Sequence, residues 1–463
     1  MSFAIALGAL IFLMLIAYRG FSVILFAPVA ALAAVLLTDP MAVLPVYTGL
    51  FMDKMVGFVK LYFPVFMLGA IFGKVIELSG FSRSIVSAVI GLVGRERAII
   101  SIVLVCNLLT YGGVSLFVVV FAVYPFAAEA FRLSNIPKRL IPGTIALGAF
   151  SYTMDALPGT PQIQNIIPTT FFGTTSWAAP ILGLVGAAFI FATGIAYLTW
   201  RVRVAAARGE GYGTGHGNEP EAPADERLAH PAIAVSPLVV VGVLNLVFTH
   251  VIPDLYGTTH EASLAGLAQP IVTRVNTVAA IWAVQLALVC GIATVLVFAW
   301  RPVSQRFAEG SRAAVGGALL ASMNTASEYG FGGVIAALPG FLVIRDALSA
   351  IPNPLVNEAV TVTVLAGITG SASGGMSIAL AAMAEQFKAA ATASGIPFEV
   401  LHRVAAMASG GMDTLPHNGA VITLLAVTGL THRQSYGDIF AVTCLKTAAV
   451  FVVIGFYYLT GLY

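Results

Sequence analysis

Carboxylates that stand beside proline and glycine breaks are the groups in this 463-residue sequence best placed to do chemistry. Asp155 opens the segment 155–165 (DALPGTPQIQN), and Asp413 opens the segment 413–419 (DTLPHNG). The pentapeptide around each, Met-Asp-Ala/Thr-Leu-Pro, recurs after 258 positions, counted from 155 to 413. Each carboxylate could carry a proton, bind a cation or cap the half-helix that follows it. The residues alone leave these three roles open.

Glu328 is a third candidate, because it lies in an apolar run within the segment 327–333 (SEYGFGG). An ionisable residue inside an apolar span is costly and is therefore a candidate for function. The residue 258 positions earlier is Ala70, so any role of Glu328 belongs to one half of the chain only. We predict that Asp155, Asp413 or Glu328 carries the ion-coupling charge of the site.

Short polar and glycine-rich segments supply the rest of the candidate site. Half-helix N-termini present unpaired N–H groups and the positive end of a dipole, which suit a carboxylate ligand. Hydroxyl and amide side chains can recognise substrate hydroxyls. The imidazole of His417 could titrate near neutral pH, or it could simply satisfy backbone carbonyls. The candidate substrate-binding residues are Tyr111, Gly112, Gly113, Gly159, Thr160, Gln162, Gln164, Asn165, Ser371, Ser373, Gly374, Gly375, Thr414, His417 and Asn418.

The composition requires a membrane around these segments. The chain is 59% hydrophobic and 10% charged, with a mean hydropathy of +0.94, whereas a soluble domain carries roughly 25% charged residues. A span needs about 20 apolar residues, so the length allows on the order of a dozen spans. The net charge of +2 gives no reason to expect a nucleic-acid partner. We predict an all-α polytopic protein of the inner membrane, with membrane lipid as a partner.

No motif for covalent or metal chemistry accompanies these residues. Cys106, Cys290 and Cys444 lie in apolar runs without paired spacing, which gives no support for disulfides or a zinc site. The sequence contains neither a P-loop nor an H-E-x-x-H motif. We therefore predict no cofactor and no bound metal, and a substrate that is moved rather than changed, so that the protein is not an enzyme.

Apolar runs divide the chain into two similar halves. The segment 209–230, rich in Gly, Pro and acidic residues, is expected to be a mobile linker between them. A shift of 258 residues carries runs of the first half onto runs of the second, which indicates an internal duplication. Runs 276–300 and 314–340 are expected to be separate spans joined by a cytoplasmic loop. The predicted divisions are a first repeat 1–200, a cytoplasmic linker 201–232 and a second repeat 233–463.

Two runs in each half are interrupted by small or polar residues. We interpret 98–131 and 356–392 as re-entrant hairpins, and 137–172 and 398–430 as broken helices. Non-helical backbone at membrane depth is tolerated only inside protein or beside a wet cavity. Each repeat then has about five spanning helices, an odd number, so the second repeat is inverted relative to the first.

The charge distribution supports this topology. With both termini outside the cytoplasm, most of the 23 Lys and Arg residues fall on the cytoplasmic side, as the positive-inside rule requires. Glu129 and Glu358, near the ends of the hairpins, are expected to be solvated. The basic residues expected at or near the outer side are Lys54, Lys60, Arg274, Arg345, Lys388 and Arg403.

Paired breaks in inverted repeats are typical of secondary transporters, with the site where the breaks meet. A resemblance to a known family is carried by residues 68–74 with 79–80, 111–125, 135–170 and, more weakly, 370–375 and 410–418. In these segments the sequence resembles the gluconate permeases, a family of proton-coupled organic-anion symporters. The resemblance implies an inverted-repeat fold of the wider ion-transporter superfamily, a homodimer, and transport of small organic anions with protons.

Two departures from the family's pattern bear on the substrate. Gly112 or Gly113 stands where gluconate permeases carry an acidic residue, and the segment 157–161 (LPGTP) stands where they have His-Pro-Gly-Pro. The loss of a charged group and an imidazole shifts the expectation towards a less hydroxylated acid, such as the 3-hydroxybutyrate that related permeases carry.

The resulting hypothesis is a secondary active transporter that moves a small hydroxy-monocarboxylate, 3-hydroxybutyrate-like or gluconate-like, with protons by alternating access. The first alternative is coupling to Na⁺, which carbonyl groups at the Ser-Gly tips could hold. The second is a passive anion channel. An intramembrane hydrolase would need a nucleophile–base pair, and the sequence nominates none.

Overall fold

The computed structural model describes residues 2–19, 21–94, 97–220, 228–343, 351–416 and 418–463. Almost all of the regular structure in this part of the chain is helical, as the apolar composition predicts. Within these described ranges, five helical segments are long and apolar enough to cross a membrane: Pro40–Leu78, Pro180–Ala207, Pro231–Tyr256, Val275–Ala337 and His432–Thr460. The protein is an all-α polytopic membrane protein, and this prediction is confirmed.

The first half contains nine helices of nine residues or more among the described residues. After one extended residue, Asp39, the chain is helical again from Pro40 to α3 but changes pitch, and a four-residue turn, Tyr152–Asp155, lies between α7 and α8. The bounds are α1 Ser2–Tyr18, α2 Val23–Thr38, α3 Met52–Leu78, α4 Phe81–Val93, α5 Ala98–Tyr111, α6 Leu116–Leu133, α7 Ile141–Ala149, α8 Ile163–Phe172 and α9 Pro180–Ala207.

The described part of the second half follows this order, except that α11 takes the place of two helices and α4 has no described counterpart; it also has one addition. A small antiparallel hairpin of two exposed strands, β1 and β2, separates its first two helices. The bounds are α10 Pro231–Tyr256, β1 Thr259–Ala262, β2 Ile271–Arg274, α11 Val275–Ala337, α12 Pro354–Thr369, α13 Ala372–Ala393, α14 Phe398–Ser409, α15 Gly419–Thr428 and α16 His432–Thr460.

Helix α11 corrects one expectation from the sequence. The runs 276–300 and 314–340 belong to two helices, but these meet at a kink and not at a loop, because the polar residues after Ala299 are helical. The only interior backbone with non-helical angles is at Ala299, with φ −135° and ψ 35°. Pro302 follows this kink, where its missing N–H is tolerated because the helix is starting again.

The long helices α3 and α11 form the largest helix pair in the described part of the chain. Gly310 lies against Lys74, and Gly333 lies against Lys54, so the two helices are antiparallel. Under the shift of 258 residues, α3 corresponds to the second part of α11. Two helices related by sequence therefore run in opposite directions.

Both hairpins turn on a residue with positive φ. Gly113 has φ +97° between α5 and α6, and Gly370 has φ +64° between α12 and α13. Ser371 then caps α13 by accepting a hydrogen bond from the Gly374 N–H at 3.0 Å. Side chains larger than hydrogen adopt such backbone angles rarely, which explains glycine at both turns.

The first part of the linker also differs from expectation. Helix α9 continues to Ala207, and residues 208–220 pack onto the protein instead of being free. Glu210 pairs with Arg139 at 2.6 Å, and Glu219 pairs with Lys138 at 2.8 Å. Acidic groups of the linker therefore neutralise basic groups that precede α7, and Lys138 becomes 1% exposed. Residues 221–227 lie outside the described part.

Candidate functional site

A cavity of about 1050 Å³ lies where the two hairpin tips and the two broken segments meet. At its mouth are Lys74 and Glu77, two partly exposed side chains that pair at 2.7 Å. Helices α3 and α11 form one wall. Pockets of about 300–1000 Å³ hold drug-sized ligands, so this cavity has room for a small organic acid together with water.

Asp413 borders the cavity from the second broken segment, between α14 and α15. Its Oδ1 accepts a hydrogen bond from the Lys446 Nζ at 2.7 Å, which makes an ion pair. Lys446 is only 2% exposed, and it also donates to the Phe150 carbonyl at 2.9 Å. Lys446 therefore links the Asp413 carboxylate to the end of α7 in the first half.

Glu328 borders the cavity from α11 and is 2% exposed. The Glu328 Oε2 has no hydrogen-bond partner among the described residues. The Ser371 side chain is the polar neighbour of the Glu328 carboxyl group. A Cβ on Gly374 would come within 1.6 Å of the Glu328 Oε2. The carboxylate is therefore seated against the glycine backbone at the N-terminus of α13, where a helix favours negative charge.

Asp155 occupies a different setting, although its sequence position is equivalent to that of Asp413. It is 3% exposed and is absent from the cavity wall. Its Oδ2 lies where a Cβ on Gly410 would be, at 1.9 Å. The Asp155 side chain is therefore packed against the second broken segment and does not face the cavity.

A network of buried polar groups holds the first broken segment. Arg403 of α14 donates to the Asp155 carbonyl at 2.8 Å, to the Asn165 Oδ1 at 3.0 Å and to the Ala178 carbonyl at 2.7 Å. The Asn165 Nδ2 donates to the carbonyls of Thr160 and Ser176. Arg403, predicted at or near the outer side, is 0% exposed and lies inside the protein. It is buried because two backbone carbonyls and the Asn165 side-chain oxygen satisfy its guanidinium.

The cavity collects about half of the residues predicted from the sequence. Gln164 is one of the predicted residues that border the cavity, and its Oε1 is buried without a hydrogen-bond partner in the described structure. Gln162 also borders it, but its amide donates to the Thr110 carbonyl at 2.7 Å. The predicted residues on the cavity wall are Gly113, Gln162, Gln164, Ser371, Ser373, Thr414, Asn418, Asp413 and Glu328.

The other predicted residues support the breaks from behind the wall. The Tyr111 hydroxyl donates to the Pro158 carbonyl at 2.9 Å, and Gly159, with φ +78°, packs against Trp177. His417 lies outside the described residues. The predicted residues that the structure places away from the wall are Tyr111, Gly112, Gly159, Thr160, Asn165, Gly374, Gly375 and Asp155.

Sequence reasoning missed Lys446 and misplaced Glu358. Both are ionisable residues inside apolar runs, and that signal was available in the sequence. Glu358 was expected to be solvated, but it is 0% exposed, and its two carboxylate oxygens lack hydrogen-bond partners within the described ranges. Helix α12 packs against neighbouring helices, including α1 and α16, and Glu358 is on its buried side. In the same ranges no three His, Cys, Asp or Glu side chains are grouped so as to hold a metal ion.

Comparison with known proteins places these features in a functional class. No family profile matches the chain. The chain is 60% identical, over an alignment of 471 residues that covers all of both sequences, to "Uncharacterized transporter YxjC" of Bacillus subtilis (strain 168). It is also similar to the crystal structure of the YdaH transporter of Alcanivorax borkumensis, with a TM-score of 0.48, 16% identity, and coverage of 92% of this chain and 90% of that one. By its relationship to YxjC, the chain belongs to a family of membrane transporters.

Proposed function

We propose that this transporter is a secondary active symporter that moves a small hydroxy-monocarboxylate with protons by alternating access. The observation that carries the proposal is the cavity itself. It brings the two hairpin tips and the two broken segments to one place and exposes the carboxyl groups of Glu328 and Asp413 there. Paired helix breaks that converge on one ligand cavity are the pattern of secondary transporters.

An inverted repeat underlies the proposed transport cycle. The antiparallel course of α3 and the second part of α11 supports it, since these helices correspond under the sequence shift. We take 1–200 and 233–463 as the repeats. Because most basic residues of the loops are predicted at the Lys74 end, we assign that end to the cytoplasm and both termini to the outer side. The cavity, whose mouth is at Lys74, is then open to the cytoplasm.

Protons are favoured over sodium as the coupling ion. Two backbone carbonyls at the second hairpin tip already accept hydrogen bonds, that of Gly370 from the Asn418 Nδ2 at 2.7 Å and that of Ser371 from the Thr369 hydroxyl at 3.1 Å. Each of these carbonyls has already used one of its two lone pairs, which leaves fewer for Na⁺. Asp413 and Glu328, which border the cavity, are suited to bind and release protons, whereas Asp155 is packed behind the wall.

The lining of the cavity favours a short acid. Beside the polar groups stand many apolar ones, among them Val65, Phe66, Leu116, Leu288 and Ile422. A polyhydroxylated chain such as gluconate would leave hydroxyl groups unpaired against this surface, and burial of an unpaired hydroxyl is unfavourable. We therefore place 3-hydroxybutyrate before gluconate, within a function related to that of the gluconate permeases.

Uptake by proteoliposomes tests the proposal. Labelled 3-hydroxybutyrate and labelled gluconate would each be offered with an inward proton gradient, with an inward Na⁺ gradient alone, and with neither. We expect accumulation of 3-hydroxybutyrate above its external concentration only with the proton gradient. Accumulation driven by Na⁺ alone would favour the sodium alternative, and equilibration without accumulation would favour a passive channel. Accumulation of gluconate in preference to 3-hydroxybutyrate would overturn the substrate assignment.

A further inference from the structure

The ion pair between Lys446 and Asp413 is the feature of the cavity that the proposed function does not yet use. Lys446 lies behind the cavity wall, and the Asp413 carboxylate lies between it and the cavity. The second acceptor of the lysine is a backbone carbonyl, that of Phe150, which cannot change its charge. The ammonium group therefore depends on Asp413 for its counter-charge.

The other cations near the cavity are already engaged. Arg403 is held by three backbone or amide oxygens and does not reach the cavity wall. Lys74 is at the mouth and pairs with Glu77. Lys74 and Glu77 both border the cavity and are partly exposed, whereas Lys446 is buried behind the wall and only its carboxylate partner borders the cavity.

Such a buried pair is weak evidence for a role in stability. Desolvation of two charges offsets much of their attraction, and apolar replacements of buried pairs are often as stable. Removal of one partner alone, in contrast, leaves an uncompensated charge that needs a substitute. A substrate carboxylate entering the cavity would be such a substitute.

We propose that Lys446 is the group that binds the substrate carboxylate, and that Asp413 occupies this place until a proton neutralises it. This inference rests on the proposed function and names the groups that would couple its two ligands. Protonation turns the Asp413 carboxylate into a neutral carboxyl, which releases the ammonium group. The incoming carboxylate then pairs with Lys446, and its departure returns the lysine to Asp413 once the proton has left.

The charge balance of this exchange predicts the stoichiometry. One proton and one monocarboxylate enter together, and no net charge is added to the site. Transport should therefore be electroneutral. Uptake should follow the proton gradient and should not change when a potassium diffusion potential is imposed with valinomycin.

Other charged groups around the pair set its environment. Asp155 is within electrostatic range of Lys446 and Asp413, and Arg403 is close enough to offset its charge. Glu328 faces the same cavity from α11. Further along α16, Asp438 is paired with Arg201 at 2.6 Å and with Arg139 at 3.4 Å, so it has its own counter-charges. Asp413 remains the carboxylate in direct contact with the lysine.

Thermal unfolding of the purified full chain in detergent tests the inference without transport. The probes are 3-hydroxybutyrate and gluconate, each compared with its neutral amide. We expect a carboxylate to stabilise the wild type more at about pH 5.5 than at about pH 8, because protonation frees the lysine. In Asp413→Asn the stabilisation should be equal at both values. In Lys446→Met the apparent affinity should fall at least about tenfold.

Two further variants separate binding from folding. The double variant Asp413→Asn with Lys446→Met carries no buried unpaired charge and should fold, yet no carboxylate should stabilise it. Lys446→Arg should keep the carboxylate effect. The inference is overturned if the double variant responds like the wild type, or if no carboxylate stabilises either the wild type at acidic pH or Asp413→Asn. Accumulation without dependence on Lys446 would overturn this inference alone, and binding without accumulation would overturn the proposed function alone.

Discussion

The two broken segments share a pentapeptide but have different surroundings. In the first, Asp155 packs against Gly410, and the backbone around it is satisfied by Arg403 and Asn165. In the second, Asp413 faces the cavity and pairs with a lysine from the last helix. We call the contacts of Arg403 and Asn165 with the first segment the brace, because they hold its backbone in place. The second segment is the one that we assign to binding.

The difference shows that two copies of one pentapeptide can have different surroundings. The copy at Asp155 is packed inside the protein, and the copy at Asp413 borders the cavity. The brace also crosses between halves, because Arg403 belongs to α14 in the second half and its acceptors belong to the first. Loss of the brace should therefore affect folding first, and changes in the second segment should affect transport first.

The largest expected effect tests the brace. In Arg403→Gln, the Asp155 and Ala178 carbonyls and the Asn165 Oδ1 lose a buried donor. Each unpaired buried acceptor costs about 1–3 kcal/mol, so we expect a loss of at least about 3 kcal/mol in stability. Thermal unfolding and the yield of folded protein measure it. The matched control is Lys388→Met, whose exposed pair with Glu385 at 2.5 Å should matter by less than about 1 kcal/mol. Equal stability of the two variants would remove the brace from the account.

A smaller effect is expected from crowding the packed carboxylate. In Gly410→Ala the new Cβ would meet the Asp155 Oδ2, so the side chain must move, at a cost of about 1–3 kcal/mol. Proton-driven accumulation by the folded fraction should persist. Gly419→Ala is the control, since nothing lies within 4 Å of its Cβ. If Gly410→Ala kept its stability but its accumulation of substrate no longer depended on the proton gradient, Asp155 would have a role in coupling and not only in structure.

Substitutions of two threonines test the comparison through differences in stability of about 1 kcal/mol. Thr414 borders the cavity and its hydroxyl is 2.6 Å from the Thr443 hydroxyl, whereas the Thr160 hydroxyl is buried without a partner in the described structure. Thr414→Val should cost about 1 kcal/mol and weaken uptake, because a hydrogen bond is lost. Thr160→Val should leave uptake unchanged and stability equal or higher. The reverse ranking of the two variants in uptake and unfolding would contradict the assignment.

The smallest effect lies outside the membrane-spanning segments. The Arg139 guanidinium lowers the pKa of Glu210 below its ordinary value of 4.5. Such a carboxylate stabilises the folded state above its unfolded pKa, and this contribution disappears as the pH falls through the lowered value. Because the pair is partly exposed, Glu210→Gln should be less stable by at most about 1 kcal/mol at neutral pH. The difference in melting temperature should shrink as the pH falls through the lowered pKa of Glu210; a constant difference would mean that the charge is not its cause.

Composition and the order of interruptions were enough to predict the helical membrane architecture and the transporter class. A chain with 59% hydrophobic residues needs a lipid environment. In that environment, the non-helical breaks at 155–165 and 413–419 need a cavity or protein around them. The homodimer and the inner membrane as its location remain predictions.

The details that escaped the sequence depend on tertiary pairing. The roles of Asp155 and Asp413 cannot be told apart locally, because their pentapeptides differ at one position only. Arg403 looks like a charge at a helix end until its acceptors in the first half are known. The acids at 210 and 219 look like linker residues until they meet Lys138 and Arg139. Long-range contacts decide each case.

Proton-driven accumulation by reconstituted Asp155→Asn and Asp413→Asn, each beside the wild type, tests the central claim most directly. Labelled 3-hydroxybutyrate and gluconate would be followed under an inward proton gradient and also in equilibrium exchange. The account predicts that Asp413→Asn loses accumulation but keeps exchange, and that Asp155→Asn keeps both in its folded fraction. Accumulation that survives in Asp413→Asn and fails in Asp155→Asn would contradict the account.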